Sequence, residues 1–91
     1  MKINIQELSQ FRYILPIQGN LEVLEKVESM NLKLQEAEKL FLEKNELEND
    51  LDIRFDYNEL DLLRKSVDIL DDAGKLTLGS LSLIRKIKKE V

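Results

Sequence analysis

Residues 56–72 carry the strongest helical periodicity of the chain, and they constrain its fold more than any other segment. Their apolar side chains fall on two adjacent stripes at helical spacing, with Leu60, Leu63, Val67 and Leu70 on one and Leu62, Ile69 and Ala73 on the other. We therefore predict a central helix that packs against other elements on two sides. Asp56 is its predicted N-cap, with Glu59 in the capping-box position, and Gly74 is its predicted end.

Length and composition are those of a small globular protein. The chain has 91 residues, of which 43% are hydrophobic and 35% charged, and we predict a single helical domain over residues 1–91. The absence of cysteine and histidine excludes disulfides, thiolate chemistry and imidazole metal ligands. No signal peptide and no membrane-spanning run is recognisable, so we expect no membrane association and a cytoplasmic location.

Signals near the N-terminus predict a first helix and a short β ribbon. Asn4 and Glu7 have the spacing of a capping box, and Pro16 ends the helix that they begin. Apolar and polar residues alternate over residues 1–5 and again over residues 51–56, as is typical of strands. The pattern is compatible with a two-stranded ribbon, which would compete with the start of the first helix.

Two further helices are predicted between Pro16 and the second alternating stretch. Asn20 caps the second helix, which we expect to break near Asn31. A third, charge-rich helix is predicted from Leu34 onward. Asparagine and aspartate compete for the backbone over residues 45–50, where we expect fraying.

The last predicted helix begins at Thr77 or Ser80 and ends in a basic segment. Its outer face is predicted to carry four cations, Arg85, Lys86, Lys88 and Lys89. They either complement the helix dipole or contact a nucleic acid, as the recognition helix of a helix-turn-helix protein does. Because the net charge is −4, the long-range field opposes a polyanion, and nucleic acid is the less favoured partner.

Several apolar side chains lie outside the stripes of their helices. We assign three of them, Tyr13, Leu42 and Leu78, to partner binding, together with the four cations of the last helix. Such residues are either buried by an unforeseen neighbour or exposed as a binding patch. The acidic middle of the chain, residues 36–61, also suits docking to a basic patch on another protein.

Catalytic and cofactor-binding motifs are not found in the sequence. The chain has no glycine-rich phosphate loop and no nucleophile elbow. Carboxylate pairs such as Glu36 with Glu43 fall on polar helix faces, where neither member is desolvated. The loop at residues 71–77 shares a glycine with an EF-hand but lacks its ligand pattern. We therefore expect no enzyme, no cofactor, no metal site and no small-molecule substrate.

One internal similarity relates residues 19–27 to residues 79–87, at an offset of sixty positions. It fits two helix-turn-helix halves with pseudo-symmetry. The common capping of any two amphipathic helices explains it more simply, and we prefer that interpretation.

Short segments along the chain carry a resemblance to known proteins. They are the ILP at residues 14–16, the GNL at 19–21, the IRF at 53–55, Leu60, the LT at 76–77 and the LSL at 81–83. With these segments the chain resembles a group of small uncharacterised proteins encoded in bacterial phages and prophages. The resemblance implies an accessory role in a phage, and it assigns no activity and no functional residue.

The sequence therefore predicts a small, mostly α-helical domain of four or five helices, with a short two-stranded β ribbon as an option. The predicted function is a non-enzymatic interaction with a partner protein or with a second copy of the chain. The alternative is a small nucleic-acid-binding regulator that uses the basic last helix.

Overall fold

The computed structural model describes residues 1–44 and 50–90, and this part of the chain is mostly helical. Its α-helices are α1 (Ile5–Gln10), α2 (Leu21–Lys44), α3 (Tyr57–Asp72) and α4 (Leu81–Glu90). Strands β1 (Lys2–Ile3) and β2 (Leu51–Asp52) pair antiparallel, with Lys2 opposite Asp52 and Ile3 opposite Leu51. Single 3-10 turns follow α1 at Phe11–Tyr13 and precede α4 at Leu78–Ser80. The predicted small, mostly α-helical fold with a two-stranded ribbon is confirmed.

Both predicted capping boxes are present, and they fix where α1 and α3 begin. The Glu7 backbone N–H donates to Asn4 Oδ1 at 2.8 Å, and the Asn4 N–H donates to Glu7 Oε1 at 2.9 Å. Asp56 and Glu59 exchange the same two bonds at the same distances. Because β1 ends at Ile3, before the Asn4 cap, the ribbon and α1 do not compete for residues, and that expectation is wrong.

Helix α2 is continuous over 24 residues, which corrects both the predicted break near Asn31 and the separate helix from Leu34. Its buried stripe runs without interruption through Val27, Met30, Leu34, Ala37 and Phe41. Asn31 lies on the exposed side, so packing of the opposite side holds the helix despite the weak helix propensity of asparagine. The predicted fraying at residues 45–49 lies outside the described residues.

Helix α3 buries one of its two predicted stripes. Leu63 and Val67 are fully buried, whereas Ile69 is 68% exposed and Ala73 is also exposed. Helices α2 and α4 both pack against α3. Of the second stripe only Leu62 packs against the core, partly buried, while Ile69 and Ala73 remain in solvent. The helix ends at Asp72 with Ala73 as its cap, and Gly74 takes the predicted C′ position, where its φ of 66° is a left-handed conformation that glycine adopts without strain.

Candidate protein-binding groove

A groove of about 310 Å³ lies between α1 and α2. Its floor is formed by Leu8, Phe11 and Leu34, which belong to the hydrophobic core. At its edge stands Leu42, whose side chain is 65% exposed. Polar side chains complete the rim: Ser9, Arg12, Asn31, Gln35 and Glu38. This combination of an apolar floor and polar side chains around it is typical of ligand and partner sites.

Arg12 and Glu38 mark opposite ends of this groove. Strand β2 lines a cavity together with Ala37 and Leu40 of α2. Because β1 pairs with β2 and leads directly into α1, the start of α1 lies beside the C-terminal half of α2. The end of α1 lies near Lys33, because the Phe11 ring is 5.8 Å from the Phe55 ring, and the Lys33 ammonium is 5.7 Å from that same ring. Arg12, just beyond the end of α1, therefore lies at the other end of the groove from Glu38.

Tyr13 lies next to the Arg12 end of the groove. The Arg12 guanidinium is 4.9 Å from the centroid of the Tyr13 ring and donates to the Tyr13 hydroxyl at 2.9 Å. The tyrosine is 53% exposed, so this end presents a cation stacked on an aromatic ring. Of the predicted binding residues, Leu42 therefore lines the groove, and Tyr13 lies outside it, beside the Arg12 end.

The other predicted binding residues lie away from the groove. Leu78 is 87% exposed in the 3-10 turn before α4. Arg85, Lys88 and Lys89 are exposed on α4 itself. The prediction that Lys86 lies on this outer face is wrong, because its ammonium group turns inward to a buried carboxylate.

That carboxylate is Glu7, which the sequence indicates only as a capping residue. Lys86 Nζ donates to Glu7 Oε1 at 2.7 Å and to the Lys2 carbonyl at 2.9 Å, and Ser82 Oγ donates to Glu7 Oε2 at 2.6 Å. Burial raises the pKa of Glu7, but the bonds from Lys86, Ser82 and the Asn4 backbone together lower that pKa below its ordinary value. We call this arrangement the Glu7 clamp, and it ties β1 and α1 to α4.

A second clamp joins α2 to α3. Glu59 is 2% exposed and forms an ion pair with Lys33 of α2. Lys33 also donates to the Arg54 carbonyl at 3.1 Å. In this Glu59 clamp the carboxylate oxygen Oε2 is buried without a hydrogen-bond partner among the described residues, whereas the corresponding oxygen of Glu7 has one. The two clamps therefore share their geometry except for one hydrogen bond.

The sequence around the two clamps repeats. Residues 1–8 read MKINIQEL and residues 53–60, fifty-two positions later, read IRFDYNEL. In each segment a basic residue and an apolar residue come directly before the capping residue. The clamp glutamate follows three positions after the cap, and a leucine comes directly after that glutamate. In both clamps the lysine also binds the carbonyl two residues before the cap. This repeat is a sequence signal that could have indicated both clamps.

The lysine of each clamp comes from the helix that follows the other clamp. Lys33 and Ser29 on α2 occupy the positions of Lys86 and Ser82 on α4, fifty-three residues later. At the predicted offset of sixty residues, Lys26 would correspond to Lys86, but Lys26 pairs with a glutamate of its own helix. The contacts therefore support an offset of 52 or 53 residues, and they show that the clamp residues cross-link two similar halves of the chain.

Comparison with protein-family models, with curated proteins and with solved structures gives no match to this chain. The resemblance to phage and prophage proteins therefore stays a prediction. In residues 1–44 and 50–90, no helix combines the length and apolarity needed to span a membrane. The same residues contain no group of three or more acidic side chains placed to bind a metal ion.

Proposed function

We propose that the chain is a non-enzymatic protein-binding module whose docking site is the groove between α1 and α2. The observation that carries this proposal is the exposure of Leu42 at the edge of the apolar groove. In the free chain this side chain contributes little to folding, because it stays in water. A partner that covered it would gain about 25 cal/mol for every Å² of apolar surface removed from water.

Exposed carboxylates on α2 favour a partner that brings a cation to the groove. Glu38 lines the groove, and Glu36 and Glu43 are also exposed on the same half of α2. A carboxylate beside an apolar site steers a complementary cation to it, whether that cation belongs to a basic patch on another protein or to a second copy of the chain. A phage accessory role, as the resemblance implies, remains part of this proposal.

The nucleic-acid alternative would use the three exposed cations of α4, Arg85, Lys88 and Lys89. Their proximity on one helix favours it. Lys86 is engaged by Glu7, which leaves the basic face smaller than the sequence predicts. Affinity for DNA that falls steeply with salt would support this alternative.

A capture experiment with matched variants tests the proposal. The immobilised chain is exposed to cell extract, and the native protein is compared with Leu42→Asp and with the control Ile69→Asp. Positions 42 and 69 are 65% and 68% exposed on long helices, so both variants should fold, as circular dichroism would verify. We expect Leu42→Asp to lose the captured protein and Ile69→Asp to retain it.

Two results would contradict the proposal. Equal capture by both variants would show that the groove is not the site. Capture that disappears after nuclease treatment, and with Lys88→Glu/Lys89→Glu, would instead support the nucleic-acid alternative.

A further inference from the structure

The groove between α1 and α2 is complementary in charge to itself. Arg12 lies at one end and Glu38 at the other. If two such grooves face each other across a twofold axis in antiparallel orientation, each arginine lies opposite the glutamate of the second copy. Twofold interfaces are self-complementary in this way, because residue i of one copy contacts residue j of the other, and j contacts i.

The exposed apolar side chains follow the same arrangement. Leu42 lies one helical turn beyond Glu38 on α2, and Tyr13 lies beside Arg12 at the other end. The antiparallel orientation therefore brings Leu42 of each copy towards Tyr13 of the other. Both side chains are more than half exposed in the single chain, and each would be covered.

From this pattern we infer that the groove binds the same groove of a second copy of the chain, forming an antiparallel twofold dimer. The inference rests on the proposed function and names the partner. The groove is lined by fewer residues than the 20–30 per partner of a standard stable interface. Each chain also carries a net charge of −4, so the two copies repel each other at long range. The dimer is accordingly weak, and its formation depends on the protein concentration.

Sedimentation velocity over a range of protein concentrations, from about 10 μM to about 1 mM, tests this dimer by a charge exchange. The variants are Arg12→Glu, Glu38→Arg and the double variant that carries both changes. Each single change places like charges at both ends of the interface, and we expect it to weaken the dimer roughly five- to thirtyfold. The double variant restores opposite charges and should return to within about threefold of the native dissociation constant.

Arg64→Glu is the matched control. Arg64 occupies on α3 the repeat position of Arg12, and it is exposed but does not line the groove. We expect this variant to dimerise as the native chain does. Leu42→Asp should abolish the dimer, whereas Ile69→Asp should leave it intact.

Three results would overturn the inference: a native chain that stays monomeric throughout, a double variant as weak as the single variants, or equal weakening by Arg64→Glu. A monomer that still captures another protein through Leu42 would overturn the dimer alone and leave the proposed function in place. A monomer whose capture does not depend on Leu42 would overturn both.

Discussion

The ion pair between Lys86 and Glu7 should stabilise the fold by about 2 kcal/mol, and Lys86→Met measures this contribution. Methionine keeps the unbranched stem and removes the ammonium group. The change deletes a 2.7 Å bond to the Glu7 carboxylate and a 2.9 Å bond to the Lys2 carbonyl. Hydrogen bonds to charged groups contribute about 1.5–3 kcal/mol.

The exposure of the two side chains to solvent decides where in that range the contribution of the ion pair falls. The Glu7 side chain is 4% exposed, so its carboxylate cannot turn into water when the ammonium is removed. The Lys86 side chain is 32% exposed, and solvent screens part of its attraction. A destabilisation of about 2 kcal/mol in a domain of this size lowers Tm by roughly 8–16 °C.

Urea unfolding followed by circular dichroism measures this loss, and Lys39→Met supplies the control. Lys39 pairs with Glu43 at 3.8 Å, and these two side chains are 72% and 57% exposed, so its removal should change stability by less than about 0.5 kcal/mol. The double variant Lys86→Met/Glu7→Gln should cost less than the sum of the two single changes, because they remove the same interaction. Equal losses for Lys86→Met and Lys39→Met would refute the reasoning.

Three further predictions concern the clamps and the end of α3. Because the pKa of Glu7 is lowered, the free energy of unfolding that its carboxylate contributes is fully present above the ordinary glutamate pKa and is lost as pH falls through the lowered pKa. Glu7→Gln should therefore flatten the acid side of a plot of unfolding free energy against pH. An unchanged plot would count against the clamp. Ser82→Ala should lower the free energy of unfolding in urea by about 1 kcal/mol, because it removes a hydrogen-bond donor to a buried carboxylate. Ser29→Ala, at the equivalent position of the other clamp, should be nearly neutral. Equal losses from the two variants would contradict this asymmetry. Gly74→Ala should lower the stability measured in a thermal melt by about 1 kcal/mol, because alanine is strained at a φ of 66°. Gly79→Ala should not, because its added Cβ would meet a glutamine side chain no closer than 3.6 Å. A larger loss for Gly79→Ala than for Gly74→Ala would be inconsistent with the structure.

The sequence was sufficient for the elements that local chemistry specifies. Asn4, Asp56 and their glutamates cap helices by hydrogen bonds within four residues. Gly74 supplies a backbone conformation, and the alternating stretches at the ribbon show a period of two. These signals depend on neighbours in the chain, so they can be read without knowing the tertiary structure.

Features decided by tertiary packing were predicted less well. The continuity of α2 through Asn31 depends on the core that its opposite side contacts, and that contact outweighs local propensity. Likewise, Ile69 is apolar and correctly spaced, yet no other described element covers it. An apolar stripe indicates which side of a helix can be buried, but the elements that pack against the helix decide how much of that side is buried.

The groove itself was not predicted from the sequence, for the same reason. Tyr13 and Leu42 depart from the stripes of their helices, and that departure is visible in the sequence. Arg12 and Glu38 are ordinary charged residues whose significance comes from the packing of α1 on α2. Lys86 was predicted to face solvent because its partner, Glu7, lies 79 residues away in the chain.

Photo-crosslinking from position 42 tests the central claim most directly. A photoreactive phenylalanine analogue replaces Leu42 in one protein and Ile69 in another, and each is irradiated both in pure solution at high concentration and in cell extract. We predict protein crosslinks from position 42 under at least one of these conditions and few from position 69. Crosslinks of equal yield from both positions, or none from position 42 in either condition, would contradict a docking site between α1 and α2.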